Sequence, residues 1–194
     1  MNVKDSIETR RAYRSLEKVE ITEKMITELS GAAQLTMSCF NNQPWRYVFV
    51  YDEDKLTEMH QALSKGNQWA HRASMIIAVT SRKDLDCTPA AREYYAFDTG
   101  MATAFLILRA TELGLIAHPI AGYSPKKTRS ILGIPDDMEV LTLVIVGKKD
   151  PQINEMLSEK QTESEKNRPE RLPLDQIIYH NRFDAEKFKQ SEDK

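Results

Sequence analysis

Two cysteines in 194 residues, Cys39 and Cys87, give this chain no disulfide framework. A reducing, cytoplasmic setting is expected, with Cys39 a small packed side chain and not a nucleophile. A basic excess is also missing. Lys and Arg number 27 against 29 Asp and Glu, a net charge of -2, and the pI is near 6.1. No broad positive surface is available for nucleic acid. No apolar run reaches membrane-spanning length, and the N-terminus has no signal-peptide core, so no membrane partner is expected. The two cysteines and four histidines show no metal-ligand spacing, and no metal is expected. The G-x-G-x-x-G dinucleotide fingerprint is absent too.

What the chain does have is an arginine cluster, Arg10-Arg11-Ala12-Tyr13-Arg14, followed further on by an amide-rich stretch, Ser38-Cys39-Phe40-Asn41-Asn42-Gln43-Pro44-Trp45. Val3 and Ile7 are spaced for one helix face. If the helix runs through the cluster, Arg10 and Arg14 share a face four residues apart. Two guanidiniums side by side suit phosphate oxygens, although a solvated basic stripe pairing with Glu8 and Glu17 has the same pattern. Three side-chain amides before a proline can read the alternating carbonyls and ring nitrogens of a flat heterocycle. They are equally compatible with a plain helix-to-strand turn around a buried Trp. Together the two segments point to a planar, phosphorylated cofactor, and flavin mononucleotide (FMN) fits best.

The remaining pattern alternates helices and strands within a single domain over 1–194. Thr22 caps a helix reaching Gln34, with Met25, Ile26 and Leu29 facing inward. A strand follows at Tyr47–Tyr51, a helix at about Asp54 to Leu63, and a buried strand at Ser74–Thr80. Thr88-Pro89 opens the longest helix, stopped by Gly114, whose stretch Ala96 to Leu108 reads as the central core helix. Ser124-Pro125 starts another helix ending near Gly133, and Val140–Val146 is a strand covered on both faces. Residues 150–170 form a polar connector unable to build a core. Apolar groups return in the arm at 171–194.

In order and spacing these motifs, with Asn67-Gln68-Trp69, Pro119-Ile120-Ala121-Gly122-Tyr123 and Arg171-Leu172-Pro173-Leu174, resemble the nitroreductase family of flavoenzymes. The resemblance runs from residue 10 to residue 174. It implies an α+β, three-layer α/β/α fold with a mixed central sheet, and a homodimer exchanging the C-terminal arm. It implies that Arg10 binds the FMN phosphate with Arg11 beside it, and that Ala12 offers only its backbone amide where the family usually has Ser. Arg14 would lie near flavin N1 and the C2 carbonyl, and Asn67 at the pyrimidine edge. Pro119, Ile120, Ala121 and Gly122 would lie against the ring near N5, with Arg168 and Arg171 closing over the phosphate. Ser38, Cys39 and Asn41 would come from the neighbouring subunit.

Departures are Met37 in place of a proline, Ala121 in place of an acidic residue, and a short Ser81–Glu93 region. There Tyr94 and Tyr95 are candidates to line the entrance. The implied activity passes a hydride from NAD(P)H through flavin N5 to a nitroaromatic, quinone or related conjugated acceptor by ping-pong kinetics, with no catalytic side chain of the protein's own. Two alternatives stay open: other chemistry on the same fold, such as reductive dehalogenation or flavin fragmentation, and a non-catalytic FMN-binding protein.

Overall fold

The computed structural model of the chain describes residues 2–186 and Phe188. The last part of the expected arm, residue 187 and residues 189–194, lies outside them. Five strands make one sheet: β1 (Leu16–Glu17), β2 (Arg46–Val50), β3 (Met75–Ser81), β4 (Ile116–Ile120) and β5 (Glu139–Lys149). β5 is its spine. Val144 faces Ile77 of β3 on one side and Pro119 of β4 on the other, and β1 pairs with Lys148 and Lys149. β2 extends the sheet beyond β3. A mixed sheet was expected. Among the described residues every pairing is antiparallel.

β3 explains the layering. All seven of its residues are buried. With a period of two, Met75, Ile77 and Val79 enter one core cluster, while Ile76 and Ala78 enter the other. The first cluster is closed by α2 (Glu23–Gln34) and α4 (Tyr95–Glu112), through Leu29, Ala33, Ala102 and Leu106. The second is closed by α3 (Glu53–His60), through Leu56 and Met59, with Trp69 and the partly buried Ile131 and Leu132 of α5 (Pro125–Leu132). The result is the expected three-layer α/β/α arrangement. Each fully buried aliphatic side chain in these layers contributes about 1.5–3 kcal/mol.

Local signals set several boundaries. The Thr22 hydroxyl accepts the Met25 N–H at the start of α2. The Ser124 hydroxyl accepts the Lys127 N–H, Pro125 opens α5, and Gly133 ends it at φ 64°. Two expectations need correction. α1 (Val3–Thr9) stops before the arginine cluster, because Arg10 leaves the helical region at φ -52° and ψ 123°. Arg10 and Arg14 therefore do not share a helix face. α4 begins at Tyr95, not at Pro89, which opens a short 3-10 turn holding Ala90 and Ala91 at φ 50° and 62°. The polar connector is also more than a tether, since it forms α6 (Glu159–Lys166) with Glu165 buried. A short α7 (Leu174–Ile177) follows. No helix among the described residues is long and apolar enough to cross a membrane.

Candidate functional site

With α1 ended, residues 10–14 run outside helix and strand towards β1, and α6 packs back onto them. The Glu165 carboxylate accepts the backbone N–H of Arg14 at 2.7 Å and of Ser15 at 3.1 Å. Arg11 donates to the carbonyls of Ser164 and Glu165, at 2.8 and 3.3 Å, and stacks over the Tyr13 ring. Its guanidinium is thus committed to holding α6 in place. Arg168 reaches back from beyond α6 to the carbonyls of Glu8 and Arg10. This folding-back makes a cleft of about 170 Å³ lined by Arg10, Ala12, Arg14, Arg168 and Arg171, with Arg11. Burial first, then the charges of Arg168 and Arg171, hold the Arg10 guanidinium below its ordinary pKa. Among the described residues none of Arg10, Arg14, Arg168 and Arg171 forms an ion pair with a carboxylate. The cleft is a cationic cradle, and the guanidinium fork suits phosphate.

A second group lies around Gly122. The Asn67 amide donates to the Gly122 carbonyl at 2.9 Å, and its carbonyl oxygen accepts the Trp69 indole N–H at 3.1 Å. One amide N–H and one lone pair remain free for a ligand. Ile120 ends β4 and is buried, whereas Pro119 and Ala121 are exposed. The fit is close. A Cβ on Gly122 would sit 2.5 Å from the Asn67 amide nitrogen. Gly122→Ala should therefore break the Asn67 contact and lower the unfolding free energy by about 1–3 kcal/mol. Gly66→Ala, where an added Cβ meets nothing within 4 Å, should be near-neutral. Urea denaturation of the two variants checks this, and equal stability would show that Asn67 is free to move.

His118, which the sequence reading passed over, joins the two groups. It lies in β4, 7 % exposed. Its Nδ1 is 3.0 Å from the Tyr13 carbonyl, a contact that requires an Nδ1–H donor. Its ring packs on Trp69 with centroids 4.8 Å apart. Contacts therefore run from the arginine segment through Tyr13, His118 and Trp69 to Asn67 and Gly122. Burial is the main reason its pKa falls to about 4, helped by the nearby Arg14 and Arg10 charges and opposed by the Tyr13 carbonyl and Glu165. The ring is neutral at neutral pH.

The amide loop belongs to neither group within one chain. Pro44 and Trp45 are buried, and Trp45 joins the first core cluster, so this end of the motif is structural. Ahead of it Phe40, Asn41 and Gln43 sit at φ 49°, 58° and 49°, a region costly for residues with a Cβ. Phe40 is 89 % exposed. The Ser38 hydroxyl accepts the Gln43 N–H, and the Cys39 N–H donates to the buried Asp98 of α4. Cys39 is also disulfide-bonded to Cys87, with Cα atoms 6.1 Å apart. This corrects the expectation of a merely packed cysteine. The two sulfurs are 48 residues apart, and only the tertiary fold brings them together. Tyr95 is no entrance residue either. It is buried, with its hydroxyl on Glu139.

The nitroreductase family model matches residues 55–148. A protein of Archaeoglobus fulgidus named "Putative NADH dehydrogenase/NAD(P)H nitroreductase" is 31 % identical over 145 residues, which are 73 % of this chain and 82 % of that protein. The chain belongs to the nitroreductase family. Among solved structures, one described as an oxidoreductase containing FMN superposes with a TM-score of 0.80 at 28 % identity, covering 95 % of this chain and 94 % of that one. A nitroreductase family protein from Clostridium difficile shares the fold, with a TM-score of 0.77 at 20 % identity over 94 % and 100 % of the two chains. The resemblance seen in the motifs and the α+β fold are thereby established. In this family member the expected site residues fall into three places: the arginine cleft, the Asn67–Gly122 turn, and the loop at Ser38, Cys39 and Asn41.

Proposed function

We propose that this nitroreductase-family oxidoreductase holds FMN across the arginine cleft and the Asn67–Gly122 turn. The observation that carries the reading is the crowding of Arg10, Arg168 and Arg171 without a paired carboxylate, joined through His118 and Trp69 to an amide with free hydrogen-bonding capacity. Arg10, Arg168 and Arg171 bind the phosphate, Ala12 contributes only its backbone N–H, and Arg14 lies toward the ring. Asn67 reads the pyrimidine edge, while Pro119, Ile120, Ala121 and Gly122 form a wall. When bound there, FMN would supply the hydride and electron chemistry that links NAD(P)H to a nitroaromatic, quinone or related acceptor. The protein positions the partners and supplies charge.

The second half of the site comes from a second copy of the chain. The strained loop presents Asn41 outward beside the exposed Phe40, with Ser38 and Cys39 half-buried at its base. Val3, Ile7, Leu35, Met37, Phe97 and Phe105 add apolar surface, and the arm leaves Leu172, Leu174 and Phe183 uncovered. So much exposed apolar area marks an interface. Dimer formation would then be coupled to stability.

Purified protein is expected to be yellow and dimeric by sedimentation, to release one FMN per chain on denaturation, and to oxidise NADH or NADPH with menadione or nitrofurazone as acceptor. Colourless protein that takes up no added FMN overturns the reading. Bound FMN without turnover points to a carrier.

A further inference from the structure

The Cys39–Cys87 bridge lies beside two buried acids. Asp86, 9 % exposed, accepts the Cys87 N–H at 2.8 Å and the Asn42 amide at 3.2 Å, both through Oδ1. Its Oδ2 is buried without a hydrogen-bond donor. Asp98, 2 % exposed, accepts the Cys39 N–H at 2.6 Å and faces the Asp86 carboxyl. Neither acid forms an ion pair among the described residues. Two buried carboxyls that meet with no cation and no donor between them must share a proton or take a positive ion.

The ligand atoms are already gathered. Both sulfurs and an Asp86 carboxylate oxygen lie within 4.8 Å of one another. Tetrahedral zinc with Zn–S bonds of about 2.3 Å holds its two sulfurs roughly 3.8 Å apart. Once the S–S bond is cleaved, a short opening of the sulfurs completes the geometry. Two thiolates and one carboxylate favour a borderline-soft ion such as zinc over magnesium or calcium.

We propose that Cys39, Cys87 and Asp86 form a zinc site in the reduced protein, with Asp98 positioning the Cys39 backbone behind it and a fourth position open to water. The site is redox-gated. A dithiol reductant supplies two electrons and two protons, the Cys39–Cys87 bond breaks, and the reductant leaves as its own disulfide. Zinc then displaces both thiol protons. In either redox condition the outward loop at residues 38–43, held at positive φ at Phe40, Asn41 and Gln43, stays tied to the 83–94 segment. Spacing alone could not reveal this site, because the two sulfurs are 48 residues apart.

The test uses the whole protein with its bound cofactor, before and after reduction by a phosphine and desalting without oxygen or metal. Zinc is added in slight excess, unbound metal is removed, and metal per chain is counted by mass spectrometry. Reduced protein should retain one zinc per chain and oxidised protein none, with cobalt in place of zinc giving a thiolate charge-transfer band. Asp86→Asn, which keeps both cysteines, should weaken zinc binding at least tenfold, and Cys39→Ser should abolish the cobalt band. Zinc retained equally by Cys39→Ser and the parent would place the metal elsewhere, for instance on the stacked His60 and His71, and overturn the proposal. So would a reduced chain that unfolds, or one that shows two reactive thiols and native circular dichroism yet holds no zinc.

Discussion

Replacing Arg10 and Arg171 together by alanine should weaken FMN binding by two to four orders of magnitude and leave the apoprotein as stable as before, or more so. The two effects have opposite signs because of what the cleft contains. Arg10 is crowded by Arg168 and Arg171, and burial adds to the cost of its charge. Removing two of these guanidiniums relieves repulsion in the empty protein. In the complex each one lost removes a charge-assisted hydrogen bond to phosphate of about 1.5–3 kcal/mol. Two such losses amount to roughly 10²- to 10⁴-fold in affinity. FMN fluorescence titration reads the first effect, and thermal denaturation of the cofactor-free protein reads the second. Purely structural arginines would give the reverse pattern, with unchanged affinity and a less stable apoprotein. Arg11→Ala supplies that contrast, because its guanidinium already holds the Ser164 and Glu165 carbonyls.

How much of this could be read from residues alone depended on how local each cause was. The cap at Thr22, the proline-led start of α5, the left-handed Gly133 and the apolar run of β5 act within a few residues of themselves, and each was legible. The end of α1 was not. Arg10 leaves the helix while residues 14–17 are claimed from far away, by the Glu165 carboxylate and by pairing with Lys148 and Lys149. The Pro89 start was misleading for a related reason. Proline fits the first turn of a 3-10 segment as well as that of an α-helix, and the Cys39–Cys87 link constrains its neighbour. The expected arginines do line one cleft, although the helix that precedes them ends too early to carry Arg10 and Arg14 on a shared face. Phosphate chemistry depends on which side chains converge, not on the element that carries them.

Glu165 and His118 were invisible for a different reason. Glu165 sits in a helix whose other acids and lysines are ordinary surface charges, so periodicity could not mark it as the buried one. His118 is a lone histidine in a short strand next to Pro119, where a packed ring is the default expectation. Only the contacts on both sides of it, the Tyr13 carbonyl and the Trp69 ring, reveal that it links the arginine segment to the Asn67–Gly122 turn.

His118 should also set an acid limit on the fold. Its pKa is about 4 in the folded protein, against 6.5 when exposed. Between those values the unfolded chain binds a proton that the folded chain refuses, so stability rises with pH across that interval. The contribution is complete above about pH 6.5 and is lost as pH falls to about 4. Over the whole interval it amounts to roughly 3 kcal/mol. Protonation would place a buried imidazolium beside Arg14 and Arg10, the charges that already disfavour it. His118→Gln keeps an amide donor for the Tyr13 carbonyl and removes the titration. Urea denaturation at pH 7 and pH 4 should show the parent losing about 3 kcal/mol more than the variant, with the carboxylates common to both cancelling in the difference. Parallel losses would mean that His118 is solvated in the folded protein and that the bridge from Tyr13 to Trp69 opens readily.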